Sequence, residues 1–274
     1  MTSDADDESR LPALREHGDV PAEEVGRLVE RLAGDEKMGR AERGRLLGRL
    51  ARALATSARE AGAKGLAGGR WLTDVFATQM APRIPIRDVE TLRRHHHGLT
   101  GDALADALVA SASNATTAVG AAGGALSAVE FSAPPLLLTA PAQIVAEALV
   151  VAAVEVKLVG ELHEVYGAAP TGGGMQRTGA YVMSWARRRG VDPLSPGSMS
   201  LVIGAAAKAT LRNRLLRLLG RHLSTLGPFL TGAVAGGALN RQATRRLGSV
   251  ILRDLRGRPL PAGRPPAIPG RVER

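Results

Sequence analysis

The chain contains no cysteine, which excludes disulfide cross-links, thiolate metal sites and cysteine nucleophiles, and fits a reducing compartment. Aromatic residues make up only 3% of it, too few for the stacking platforms that single-stranded nucleic acids require. No segment sustains period-two alternation, and β-branched runs are short, so strands are not expected. A nucleophile elbow of the G-x-S-x-G type is missing, as is a Walker-type phosphate loop. Gly172-Gly173-Gly174 lacks the lysine and serine such a loop needs; it marks a hinge, and no cofactor is expected. The first ten residues, MTSDADDESR, are acidic where a secretory leader would be basic, so no leader is expected either.

What is abundant is alanine, leucine, glycine and arginine, and the charge is strongly segregated. The formal net charge is +10. Residues 1–36 carry a balance of −7, residues 37–97 of +8, residues 98–170 of −6 and residues 171–274 of +15. Arginine outnumbers lysine 32 to 4, a bias that codon usage alone can produce. These patterns predict an all-α fold, a helical bundle built around two long αα-hairpins rich in small residues. Residues 1–20 are expected to be a disordered acidic N-terminus and residues 21–98 an N-terminal helical region. Residues 99–256 are expected to form the main bundle, and residues 257–274 a disordered, basic, proline-rich tail.

In the N-terminal region a helix is predicted from Pro21, with Val25, Leu28, Val29 and Leu32 as its apolar stripe. A second follows over about Ala41–Ala61, with Leu46, Leu47, Leu50 and Leu54 inward and Arg43, Arg45, Arg49, Arg52 and Arg59 around the rest. Gly62–Gly69 is predicted to be a turn. Trp71–Met80 is expected to be a short helix, and Pro82–Pro85 extended, because residues before proline avoid the helical region. The first long hairpin is formed by helices on either side of Pro134-Pro135, and the second by Ser198–Leu226 with Pro228–Leu255.

Gly120 and Gly124 are four residues apart, as are Gly232 and Gly236. In an apolar helix this spacing flattens one face and permits close helix crossing. The same pattern serves a membrane-embedded helix pair or close packing inside a soluble bundle. A lipid-facing span over Pro135–Gly160 would place Glu147 near its middle, at a cost of about 2.5–3.5 kcal/mol. Peripheral or shallow association is therefore favoured over constitutive spanning.

Glu147 and Glu155 are buried polar candidates, joined by Asn240. A carboxylate flanked by IVA and ALVVAA is desolvated unless an arginine pairs with it, and Arg212 or Arg241 is the expected partner. Lys157 is one turn before Glu161 and is expected to pair with it. Lys208, Arg212, Arg217 and Arg221 crowd one helical side between leucines; with Arg245 and Arg246 they form a candidate anionic-surface-binding set. The partner they imply is an anionic membrane surface or a membrane protein. Nucleic acid is not expected, since no DNA-binding motif appears. His95-His96-His97 lacks a matching acidic or histidine cluster nearby, so no metal is expected. An enzyme built on Glu147, Glu155 and His163 is the minority reading.

The stretch GAAGGALSAVEFSAPPLLLTAPAQIVAEALVVAAVEVKLVGELHEVYG resembles the EcsC family at Gly120, Gly123, Gly124, Pro134, Pro135 and Tyr166-Gly167. Gly232, Gly236, Asn240, Arg245 and Gly248 resemble that family's C-terminal helix. The resemblance covers about the last two thirds of the chain. It implies an all-helical bacterial protein associated with the cytoplasmic side of the membrane and linked to an ABC transporter and secretion. It implies no settled chemistry. The alternative is a soluble cytoplasmic bundle that binds an acidic protein or polyanion through its arginine-rich C-terminal helices.

Overall fold

A computed structural model of the chain describes residues 20–67, 70–132, 140–189 and 228–257. Among these residues the protein is an all-α helical bundle without strands. The expected disordered ends, Pro134-Pro135 and the arm Ser198–Leu226 lie outside the described residues, apart from Val20 and Gly257 at the margins.

Helix α1 (Val20–Gly34) buries Val25, Leu28, Val29 and Leu32, the stripe that its 3.6-residue period predicts. A five-residue turn leads into α2 (Arg40–Ala67), which buries Leu46, Leu47, Leu50 and Leu54. Helical geometry in α2 fails at Gly62, where φ is +66°, a conformation that glycine adopts without steric cost. Arg43 departs from expectation. It lies buried beneath the α1–α2 turn, donating from Nη1 to the Leu32 carbonyl (3.1 Å) and from Nη2 to the Asp35 carbonyl (3.1 Å). Two carbonyls left over at the end of α1 are thereby satisfied.

Helix α3 (Arg70–Asp74) continues directly into a π-helical turn, Val75–Met80, and a 3₁₀ turn, Ala81–Arg83. The expectation of an extended Pro82–Pro85 segment fails at Pro82 and Arg83, which lie in the 3₁₀ turn, and holds at Ile84 (φ −67°, ψ 118°), immediately before Pro85. Ala81 remains helical (φ −54°, ψ −42°), and its N–H reaches the Phe76 carbonyl. Pro82 sits in the first turn of a 3₁₀ helix, where a missing N–H costs no internal hydrogen bond. The wide turn presents Phe76 to Trp185, with stacked rings 6.2 Å apart. Helix α4 (Val89–His95) is capped by Asp88, which accepts from the Thr91 N–H at 2.8 Å.

Helices α5 (Gly101–Ser132) and α6 (Ala140–Val165) follow, then α7 (Gly174–Arg188) and α8 (Pro228–Arg256). Helix α6 is the axis of the bundle and packs against α1, α2, α4, α5, α7 and α8. Its Ala146, Leu149, Val150, Ala153, Val154, Val156, Leu158, Val159 and Leu162 are all buried, on every side of the helix. A helix apolar all round belongs either in a bilayer or in the middle of a bundle, and α6 occupies the second position. It ends at Gly167 (φ +63°), with Gly167 N–H donating to the Glu164 carbonyl and Ala168 N–H to the His163 carbonyl, a Schellman closure. The Tyr166-Gly167 pair thus marks the end of α6.

Helices α5 and α8 run antiparallel and share the most extensive contact in the described structure. The core is continuous from Val25 in α1 to Leu255 in α8, so the N-terminal helices share it with the C-terminal ones.

Candidate functional site

The α5–α8 seam is built by small residues. A Cβ placed on Gly120 would lie 2.7 Å from the Gly236 carbonyl oxygen, and one placed on Gly236 would lie 3.0 Å from the Gly120 oxygen. Gly237 meets the Thr117 carbonyl equally closely, and Gly248 makes room for Val109. Gly124 lies in α5 and Gly232 in α8, but their surroundings fall outside the described contacts. Close approach lets polar groups bridge the seam. Asn240 Nδ2 donates to the Thr116 carbonyl at 3.2 Å, and the Thr116 and Thr244 hydroxyls are 3.0 Å apart.

The Thr244 hydroxyl continues to Glu155 Oε1 (3.1 Å), where the seam meets α6 and α7. Glu155 is 1% exposed; its Oε2 accepts from Trp185 Nε1 (2.9 Å) and Arg189 Nε (3.1 Å), and its Oε1 also accepts from Arg189 Nη2. One buried carboxylate therefore ties α6, α7 and α8 together, each of its oxygens accepting from two donors. Its arginine comes from the end of α7. Glu147, for which Arg212 or Arg241 was expected, is buried against α5, and Gln143 Nε2 joins Glu147 Oε1 (3.3 Å) to the Gly123 carbonyl (3.0 Å). A Cβ at Gly123 would overlap the Glu147 carboxylate. Arg241 instead donates to Asn114 on α5 (2.9 Å), and Arg212 lies outside the described residues.

His163 Nδ1 lies 2.7 Å from the Val159 carbonyl, and its ring is tilted against Tyr181. Glu147, Glu155 and His163 are successive eighth residues of one helix, about 12 Å apart along its axis. Each has its own surroundings. Among the described residues no group of three or more acidic, histidine or cysteine side chains is placed to hold a metal ion.

A second polar cluster was only partly foreseen. Lys157 Nζ donates to Glu161 Oε2 (3.0 Å), the predicted pair, and also to Glu36 Oε1 (3.1 Å) from the α1–α2 turn. Arg87 Nη1 donates to the same Glu36 oxygen at 2.9 Å and its Nη2 to the Gly34 carbonyl at 3.0 Å. The Ser111 hydroxyl of α5 donates to Glu36 Oε2 at 2.6 Å. Burial works against ionising Glu36, but Lys157, the Ser111 hydrogen bond and Arg87 outweigh it and hold its carboxyl at about 2. Glu161 goes the other way. Burial raises its carboxyl above the usual range despite Lys157, and its Oε1 has no hydrogen-bond partner among the described residues. A cavity of about 10 Å³, lined in part by Glu36, Ser111, Lys157 and Glu161, adjoins the cluster.

On the outside, Arg245 and Arg246 are exposed on α8, joined by Arg253, which no sequence pattern singles out. Among the described residues none of the three has a carboxylate partner, whereas Arg188 holds Asp254 and Arg256 reaches Asp102 and Asp106. Leu239 is 45% exposed on the same helix. Lys208, Arg212, Arg217 and Arg221 lie outside the described residues. No helix among the described residues is long and apolar enough to cross a membrane.

Fold and sites together define an all-α bundle with a glycine-lined seam, two internal charge clusters and a basic outer helix face. No protein-family model matches the chain, and no curated protein or solved structure is significantly similar to it.

Proposed function

We propose that this protein is a non-enzymatic, membrane-associated accessory or scaffold protein of EcsC type, attached peripherally to the cytoplasmic face and connected with transport or secretion. The observation that carries the reading is the outer face of α8, where Arg245, Arg246 and Arg253 stand exposed without acidic partners among the described residues. Guanidinium groups on a helix surface meet lipid phosphates favourably, at about 1 kcal/mol per residue near an anionic leaflet. The surrounding sequence from 171 to 274, at +15, extends the same field. Two features favour attachment over insertion: α6 spends its apolar surface on neighbouring helices, and its acids are held by internal donors.

Fractionation of cells expressing the protein into soluble, salt-extractable and detergent-extractable pools tests the reading. Most of the protein is expected in the membrane fraction and released by high salt, since surface charge pairs are screened within a Debye length of about 3 Å at 1 M. Recovery wholly in the soluble pool at low salt contradicts it and favours a soluble bundle that binds an acidic protein or polyanion.

A further inference from the structure

Glu36 is held as a ligand is held. Its carboxylate arrives on the short turn between α1 and α2, and its three donors come from three other places: Arg87 before α4, Ser111 on α5 and Lys157 on α6. Both oxygens are used, one by two cations and the other by a hydroxyl. Charge-assisted bonds of this kind are the strong class of hydrogen bond.

The two cationic donors also have partners other than Glu36. Lys157 is almost fully buried and anchored by Glu161, and Arg87 is mostly buried and braced on the Gly34 carbonyl. Glu36 itself is 27% exposed, so its niche opens towards solvent on the side from which the turn enters. With Glu36 removed, Lys157 and Arg87 outweigh the single carboxylate of Glu161.

We infer that Arg87, Lys157 and Ser111 form a carboxylate-binding site, and that Glu36 fills it as an internal ligand. An external carboxylate, on an acidic side chain or a chain terminus, competes for the same three donors when the partly exposed Glu36 side chain swings off them. This stands independently of membrane attachment, because it uses none of the α8 arginines.

Shape gives a direct test. Glu36→Ala deletes a CH2–COO⁻ group, which has the carbon and oxygen framework of acetate. In thermal unfolding, about 0.2 M acetate is expected to raise the Tm of Glu36→Ala by about 3 °C over chloride at equal ionic strength. The native protein and Glu36→Gln, whose niche remains filled, should show no such difference. Adding Arg87→Gln to Glu36→Ala should abolish the acetate effect while helicity is retained. If Glu36→Ala does not fold in chloride, refolding in acetate should recover helicity that chloride does not. Equal behaviour in the two salts, folded or unfolded, overturns the site, as does an acetate effect of the same size in the native protein.

Discussion

Single residues carry much of this structure because several polar groups are buried with nearly exact complements. Glu155 accepts from an indole, a guanidinium and a hydroxyl that together join three helices. Glu155→Ala strands the buried Trp185 and Thr244 donors, while the partly exposed Arg189 guanidinium is hydrated instead, so the cost is about 1–3 kcal/mol. Urea unfolding should show that loss; a change under about 1 kcal/mol would mean that the cluster is dispensable. Glu36 predicts a pH dependence. Its folded carboxyl, at about 2, lies below the ordinary 4.5, so its stabilisation is complete above about pH 4.5 and fades as pH falls towards 2. The stability gap between the native protein and Glu36→Gln should therefore narrow across that window. A gap that is constant from pH 6 to pH 3 contradicts the assignment. Sequence made Glu155 visible as an acid in an apolar helix, and spacing made Lys157–Glu161 visible as an i, i+4 pair. The pairing of Glu36 with Arg87 and Ser111 carried no such signal, since those two lie 51 and 75 residues from it in the chain.

At the scale of elements, glycine means different things in different helices. Gly44 and Gly48 in α2 have open space where a Cβ would go, whereas Gly120 in α5 faces the α8 backbone. Gly48→Ala should stabilise the protein by up to about 1 kcal/mol through helix propensity. Gly120→Ala should instead destabilise it by about 1–3 kcal/mol, because neither backbone can yield without parting the seam. Calorimetry of both variants checks the pair, and a shift of the same sign in both would refute the seam's role. The helices themselves were legible from their apolar periodicity: α1 begins within a residue of its predicted start, and the predicted end of the second helix coincides with the break at Gly62, although the helix resumes to Ala67 where a turn over Gly62–Gly69 is predicted. The π-helical turn was not legible, because Trp71–Met80 has ordinary helical composition, and the Trp185 ring against which its Phe76 stacks is over a hundred residues away.

For the whole molecule, the same composition that resembles a membrane hairpin also serves a bundle with a buried central helix. Alanine and glycine let α5 and α8 close on each other, while α6 lies against six helices. That ambiguity could not be resolved from sequence, since an all-apolar helix looks alike in lipid and in a protein core. What the packing leaves outside is arginine, and the account stands on where that arginine goes. Co-sedimentation with vesicles of anionic or neutral lipid, comparing the full chain with the triple variant Arg245→Ala, Arg246→Ala, Arg253→Ala, measures it. At about 1 kcal/mol for each arginine, the variant should lose about two orders of magnitude in affinity for anionic vesicles. The native chain should ignore neutral vesicles and release anionic ones at high salt. Equal binding to both lipids, or equal binding by the native chain and the variant, would contradict the account.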